Sequence, residues 1–387
     1  MIPKEIKILS LCFFIMFFAY NGVQQFLVTY FSTLNKVVAG FWSLTLIYFF
    51  LLISNFFSGF IVSKYGVKKC LVAGSLFYSL FIFSVVSKNL FFIYLASALL
   101  GFGGALLWTA QGTFLVRVSD PKRYGKNSGF FSTILQFGSV FGIIIFSFLV
   151  IRLSYQSAFL IFAFLPIFST IIFMTLKNTK PNVVNFKEKL RTFEKMITNL
   201  LVIKFFLTWI SFSLVQGIVA GQIPLEIKNY FGLGSIGFLS SFFYFLPIAF
   251  SYYLGKLSDI KGRKNFLILS YILIALGLGL FTIQINFDLG KWIFILCFLL
   301  ISFGFAIFAG IRFAIIGDIS KDSNLEYLTA ISVLFGNMGY VIVFLLNIYL
   351  QTTVSYLISF CIVFLSLIIS LPVLKLNMST LKEKLSL

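Results

Sequence analysis

The residues that could do chemistry here are polar side chains set inside long apolar runs. Asn21, Gln24 and Gln25 stand at i, i+3 and i+4. Trp108 and Gln111 are three apart, as are Ser213 and Gln216, so each set shares one face of a helix. Gln222 and Glu226 follow four apart around Pro224, and a lone cation, Arg312, lies in a later run. Amides, an indole and one guanidinium can bind and orient a solute. They supply no nucleophile and no acid–base pair. His is absent, which removes the commonest metal ligand and proton shuttle. Cys12, Cys70, Cys297 and Cys361 are scattered singly, without metal or disulfide spacing. No nucleotide-binding loop appears either. The expectation is solute recognition without catalysis and without a cofactor.

The elements that must hold these residues follow from composition. Of 387 residues, 60% are apolar and 11% charged, against roughly 25% charged in a soluble domain. Mean hydropathy is +1.05. The bilayer is therefore the solvent. Runs of membrane-spanning length fall near 8–30, 38–63, 70–87, 89–116, 128–151, 156–176, 199–225, 233–257, 265–285, 291–317, 327–350 and 354–374. They are too long and too uniformly apolar for barrel strands, so they must be helices. Lys4 and Lys7 precede a first run that continues past Tyr20 without a small-residue cleavage site, as an uncleaved first span would. The longest polar break divides the spans six and six. The organisation expected is a six-helix half at 1–176, a cytoplasmic linker at 177–197, a second half at 198–375 and a cytoplasmic tail at 376–387.

Charge orients the spans. Of the 30 Lys and Arg, 23 fall in tails and loops on one side, five on the other, and two, Lys204 and Arg312, inside spans. The positive-inside rule makes the richer side cytosolic, both termini included. The net charge of +19 is then a topology signal that faces anionic lipid, not nucleic acid. Lys204, about a turn into its span, reads as a snorkelling residue.

The halves echo each other. Gly101–Asp120 lies over Ser302–Lys321 at a constant shift of 201, with Phe102 on Phe303, Gly103 on Gly304, Ala105 on Ala306 and Ser119 on Ser320. The shift continues to Gly138 and Gly339, and sets Gln111 opposite Arg312. Repeats of this kind mark transporters with a midplane site between the units. Between the eighth and ninth spans stands GKLSDIKGRK, carrying Gly255, Asp259, Gly262, Arg263 and Lys264. The matching first-half loop, GFIVSKYGVKK, keeps Gly59, Gly66, Lys68 and Lys69 but has Ser63 in place of the Asp. The glycines allow a tight turn and close helix approach. The carboxylate suits a neighbouring helix N-terminus, and the basic pair suits the headgroups.

This loop resembles the cytoplasmic loop motif of the major facilitator superfamily, and the likeness extends over the whole chain. The resemblance implies an all-α membrane fold of 12 transmembrane helices in two six-helix pseudo-symmetric halves. It further implies that the loops gate the cytoplasmic side, with Asp259 the residue expected to latch it. Ser63 leaves the first-half latch open to question. In the superfamily the first, fourth, seventh and tenth spans line the central cavity. Asn21, Gln24, Gln25, Trp108, Gln111, Gln216 and Arg312 fall on those spans and are expected to line the solute path. The alternative for each amide is an interhelical hydrogen bond with no ligand. Arg312 could hold an anionic group, pair with a carboxylate, or snorkel towards the end where Asp318 lies. ALLWTAQGTFL, Ala105–Leu115, resembles the fourth-span signature of the unc-ninety-three-like branch. Gly129, Gly138 and Gly142 have the spacing of the family's exporter motif, but Ile143 replaces its Pro, so helix packing is the expected role.

The expected function is a secondary-type transporter moving a small solute by alternating access. The alternative is a non-transporting unc-ninety-three-like scaffold or regulator of other membrane proteins, as some members of that branch are. The candidates for a coupling carboxylate are Glu226, near an outer end, and Asp318, near an inner one. Uniport therefore stands beside proton symport. Arg312 hints at an anionic or amphipathic solute, while the Gln-rich aromatic lining equally suits a neutral one. A monomer in the plasma membrane, with the lipid bilayer as its other partner, completes the expectation.

Overall fold

The computed structural model describes residues 2–178, 191, 194–287, 289–321 and 324–374. Most of the expected linker and the whole tail lie outside them. The first half comprises α1 (Lys4–Thr33), α2 (Val37–Tyr65), α3 (Val67–Val86), α4 (Leu90–Arg117), α5 (Tyr124–Arg152) and α6 (Tyr155–Phe173). The second comprises α7 (Leu200–Gly221), a short α8 (Ile223–Phe231), then α9 (Ile236–Lys261), α10 (Lys264–Phe287), α11 (Lys291–Ile319), α12 (Leu325–Tyr349) and α13 (Thr352–Leu374). All but α8 are long and apolar enough to cross a membrane, which gives 12 spans. The run expected at 199–225 breaks instead at Gln222. Pro224 sits in the first turn of α8, where its missing N–H costs nothing, and that turn starts a new helix.

Side chains start and stop the helices where hydrocarbon gives way to polar surroundings. Asn89 and Asn199 accept from the backbone N–H two residues on, each at 2.9 Å, to cap α4 and α7. Gly66 and Gly262 end α2 and α9 with φ of 86° and 83°, so the two signature loops turn the same way. The outer surface is apolar, with Phe57, Phe91, Phe148, Phe168, Phe238 and Leu365 exposed.

The main helix pairings of the first half have their counterparts in the second. α1 packs on α5 and α6 as α7 packs on α12 and α13. α4 packs on α2 and α3 as α11 packs on α9 and α10. The halves meet through α5 against α9 and α2 against α12. Small residues set these distances. A Cβ on Gly125 would overlap the carbonyl of Gly255, one on Gly255 would overlap that of Gly125, and Gly129 abuts Ser251. Two small pairs, each four apart, thus let α5 and α9 touch backbone to backbone across the halves. Gly138 and Gly142 instead meet the carbonyls of Phe14 and Phe18, packing α5 on α1.

Candidate solute cavity and the contacts that close it

A cavity of about 120 Å³ lies at mid-depth between the halves. Its walls come from α1, α2, α3, α4 and α5 on one side and α7, α9, α11 and α12 on the other. Asn21, Gln24, Trp108, Gln216 and Arg312 all line it. Helix geometry parts the polar cluster of α1. At about 100° per residue, Gln24 and Gln25 cannot face the same neighbour. Asn21 Nδ2 donates to Ser139 Oγ of α5 at 2.6 Å, and Gln24 Nε2 donates to the Tyr48 hydroxyl of α2 at 2.8 Å. Gln25 is buried outside the lining and donates to the Val219 carbonyl of α7 at 2.8 Å. Gln111 is also outside it. There α4 is sealed against α11 and α12, since a Cβ on Gly112 would meet Phe313 and Thr329. The Gln111 amide is fully buried and has no hydrogen-bond partner among the described residues.

Phenols complete the wall. Tyr48 and Tyr340 stack across the halves with centroids 3.9 Å apart, and the Tyr340 hydroxyl donates to Gln216 Oε1. Tyr20, Tyr78 and Tyr244 also line the cavity. None of the five stood out in the sequence, because tyrosines in membrane chains ordinarily mark the interfaces. Arg312 is turned into the cavity and makes no ion pair among the described residues. Its guanidinium lies over Phe313 at 4.7 Å and over Trp108 of the other half at 5.6 Å.

Below the cavity, at the end bearing most of the Lys and Arg, two clasps join the halves. Asp259, at the end of α9, accepts from the backbone N–H groups of Gly125 and Lys126 at 2.9 Å each. The carboxylate thereby satisfies the N-terminus of α5. Arg263 holds it at 2.8 Å and reaches Asp318, at the end of α11, at 2.5 Å. Asp318 is thus part of this clasp. Gly262, Lys264 and their first-half counterparts Gly66, Lys68 and Lys69 frame the turns, with Lys69 exposed.

The repeat predicts a second clasp, and its chemistry is inverted. In the first-half loop Asp259 and Arg263 correspond to Ser63 and Val67, so the ion pair is lost as a unit. At the 201 shift, Asp318 corresponds to Arg117 and Gly125 to Glu326. Arg117, ending α4, reaches Glu326 in the first turn of α12 at 2.5 Å. Gly59 lets α2 approach there, where a Cβ would meet the Glu326 carbonyl at 3.2 Å. Neither Arg117 nor Glu326 was singled out in the sequence. The repeat register was the signal that could have found them.

At the opposite end the halves meet through weaker contacts. Besides Gln25, Lys228 of α8 donates to Ser32 of α1 at 3.2 Å, and Phe41 meets Phe344 with centroids 6.5 Å apart. Glu226 lies here on α8, partly buried, and burial raises its carboxyl above the ordinary value of 4.5. The fold therefore favours the protonated acid. Between the unfolded and the raised pKa the native state binds more protons, so stability falls as pH rises through that window. Thermal midpoints measured from pH 4 to 7 are expected to decline with rising pH, and Glu226→Gln is expected to flatten that decline. An unchanged profile in the variant would contradict the assignment.

Residues 205–385 match the family model described as Major Facilitator Superfamily, and residues 31–219 match that described as Ion channel regulatory protein UNC-93. A solved structure of the proton:xylose symporter XylE, bound to 6-bromo-6-deoxy-D-glucose, superposes with a TM-score of 0.75. It covers 99% of this chain and 98% of the symporter at 14% identity, a likeness of fold. With the 12 spans and the paired halves, these matches define a multi-pass integral membrane protein with the major facilitator fold, whose second half matches the superfamily's model.

Among curated proteins the sequence likeness is to UNC-93-like proteins. UNC93-like protein MFSD11 of Xenopus tropicalis is 35% identical over 141 residues, which are 36% of this chain and 32% of that protein. UNC93-like protein 3 of Arabidopsis thaliana is 30% identical over 33% of this chain and 26% of its own length. Protein unc-93 homolog A of Mus musculus is 29% identical over 40% and 36% respectively. The matched stretch spans about a third of the length of these curated relatives.

Proposed function

We propose that this chain is a secondary carrier that moves a small solute by alternating access, binding it in the cavity between the halves. The observation that carries this reading is a polar, aromatic-walled cavity at mid-depth, flanked at each end by contacts that join the two halves. Such contacts can open in turn while each half moves as a unit. The clasp-bearing end is the cytosolic one in this proposal, as the charge bias implies, and the plasma membrane is its setting.

A second reading, a regulator of other membrane proteins, draws support from the UNC-93 match over residues 31–219. The two differ in what they demand of the cavity. A thermal-shift screen of the purified chain against metabolite classes identifies a binder, because any native-state ligand raises the midpoint. Uptake of that binder into proteoliposomes then tests transport. Gln24→Leu and Gln216→Leu each remove one wall hydrogen bond to a phenol, and are expected to lower uptake about tenfold. Unaltered flux in both variants would remove the cavity from the mechanism, and a regulator would tolerate both.

A further inference from the structure

Arg312 lies seven residues before the end of α11, about 10 Å of helix from that end. Its guanidinium is turned into the cavity between the Trp108 and Phe313 rings rather than along the helix to the polar surface. It makes no hydrogen bond or ion pair among the described residues, and its Nε is buried without a partner. Among the described residues no Asp, Glu or Lys lines the cavity. Towards the basic end, Asp259 and Asp318 are held by Arg263, and Glu326 by Arg117. Ring faces return only a fraction of what desolvating a guanidinium costs. A cation is therefore held at mid-membrane with its hydrogen-bonding fork unused, in a cavity whose other polar groups are neutral amides and hydroxyls.

We propose that the cavity takes a compact organic monoanion, its carboxylate on the Arg312 fork and its apolar body among the Trp108, Tyr20, Tyr78 and Phe305 rings. This rests on the reading of the cavity as the solute site and adds the class of solute. One carboxylate matches one guanidinium bidentately and leaves the occupied cavity neutral. A dianion would bring an unpaired negative charge. A neutral solute would leave the cation unpaired, and a cation would face Arg312 directly. The volume of about 120 Å³ selects for a small body.

The test uses the purified full chain with acetate, butyrate, hexanoate and benzoate as probes, and benzamide and benzylammonium as neutral and cationic counterparts of benzoate. At least one carboxylate is expected to raise the thermal midpoint, and neither counterpart to do so. Arg312→Gln is expected to weaken that carboxylate about 10- to 100-fold, the worth of a charge-assisted pair. The unliganded midpoint of the variant should stay level or rise, because an unpaired cation has been removed. Arg312→Lys, keeping charge without the fork, should fall between. Stabilisation by benzamide or benzylammonium equal to that by benzoate would overturn the proposal. So would silence from all four carboxylates, or carboxylate binding that Arg312→Gln leaves intact. The carrier reading fails separately. If a neutral solute is transported, the class is wrong and the carrier stands; if a carboxylate binds through Arg312 but never crosses proteoliposomes, the class stands and the carrier falls.

Discussion

Asp259→Ala is expected to open the basic end of the bundle and speed thiol labelling of a cavity-wall cysteine about 30-fold or more. The carboxylate accepts two backbone hydrogen bonds from the start of α5, across the halves, and its own side chain is only 11% exposed. Bonds to a charged acceptor contribute roughly 1.5–3 kcal/mol each. Allowing for water that re-solvates the freed N–H groups, the closed end loses about 2–4 kcal/mol, and each 1.4 kcal/mol is tenfold in population. A cysteine at Ser132, which lines the cavity, in a background without Cys12, Cys70, Cys297 and Cys361, reports the opening. Glu326→Gln should act in the same direction but less, since its partner Arg117 is 18% exposed and regains water. Equal labelling of the Asp259→Ala and parent proteins would mean that the clasp does not hold the halves together.

The largest effect on stability is expected from Gly142→Ala. A Cβ there would overlap the backbone carbonyl of Phe18, so α1 and α5 must part along a contact that runs from Gly138 to Gly142. Backbone cannot rotate away as a side chain can. The cost should reach the upper part of the overpacking range, about 3 kcal/mol. Gly234→Ala supplies the contrast. Nothing lies within 4 Å of its Cβ and its φ is not positive, so its effect should stay within about 0.5 kcal/mol. Unfolding midpoints of the two variants measure the difference. A wild-type midpoint for Gly142→Ala would show that the helices re-pack at little cost.

Much of the fold was legible because the bilayer leaves few choices. Twelve apolar runs must be helices, and the echo between the halves arranges them. The break at Gln222 was not legible as a stop, because Pro224 within an apolar run reads as easily as a kink. The site was legible where polarity inside the membrane is costly. Asn21, Gln24, Gln216 and Arg312 stood out for that reason and meet at one cavity. Gln25 and Gln111 stood out equally but face helix contacts, since cost marks a buried polar group without saying what it faces. Tyr48 and Tyr340 carry hydroxyls on large apolar bodies and so raised no signal. Arg117 and Glu326 looked like two more loop charges until the repeat register set them against Asp318 and Gly125.

The most direct test of alternating access is a pair of distances measured at once. Spin labels at Lys122 and Lys256 span the halves at the basic end, and labels at Leu153 and Leu233 span them at the other; all four positions are exposed. In the parent protein both pairs should show a short distance, with minor longer populations. In Asp259→Ala the basic pair should lengthen while the opposite pair stays short, and a transported solute should redistribute the two ends in opposite senses. Two distances that never change, or that lengthen and shorten together, would contradict a carrier that opens one end at a time.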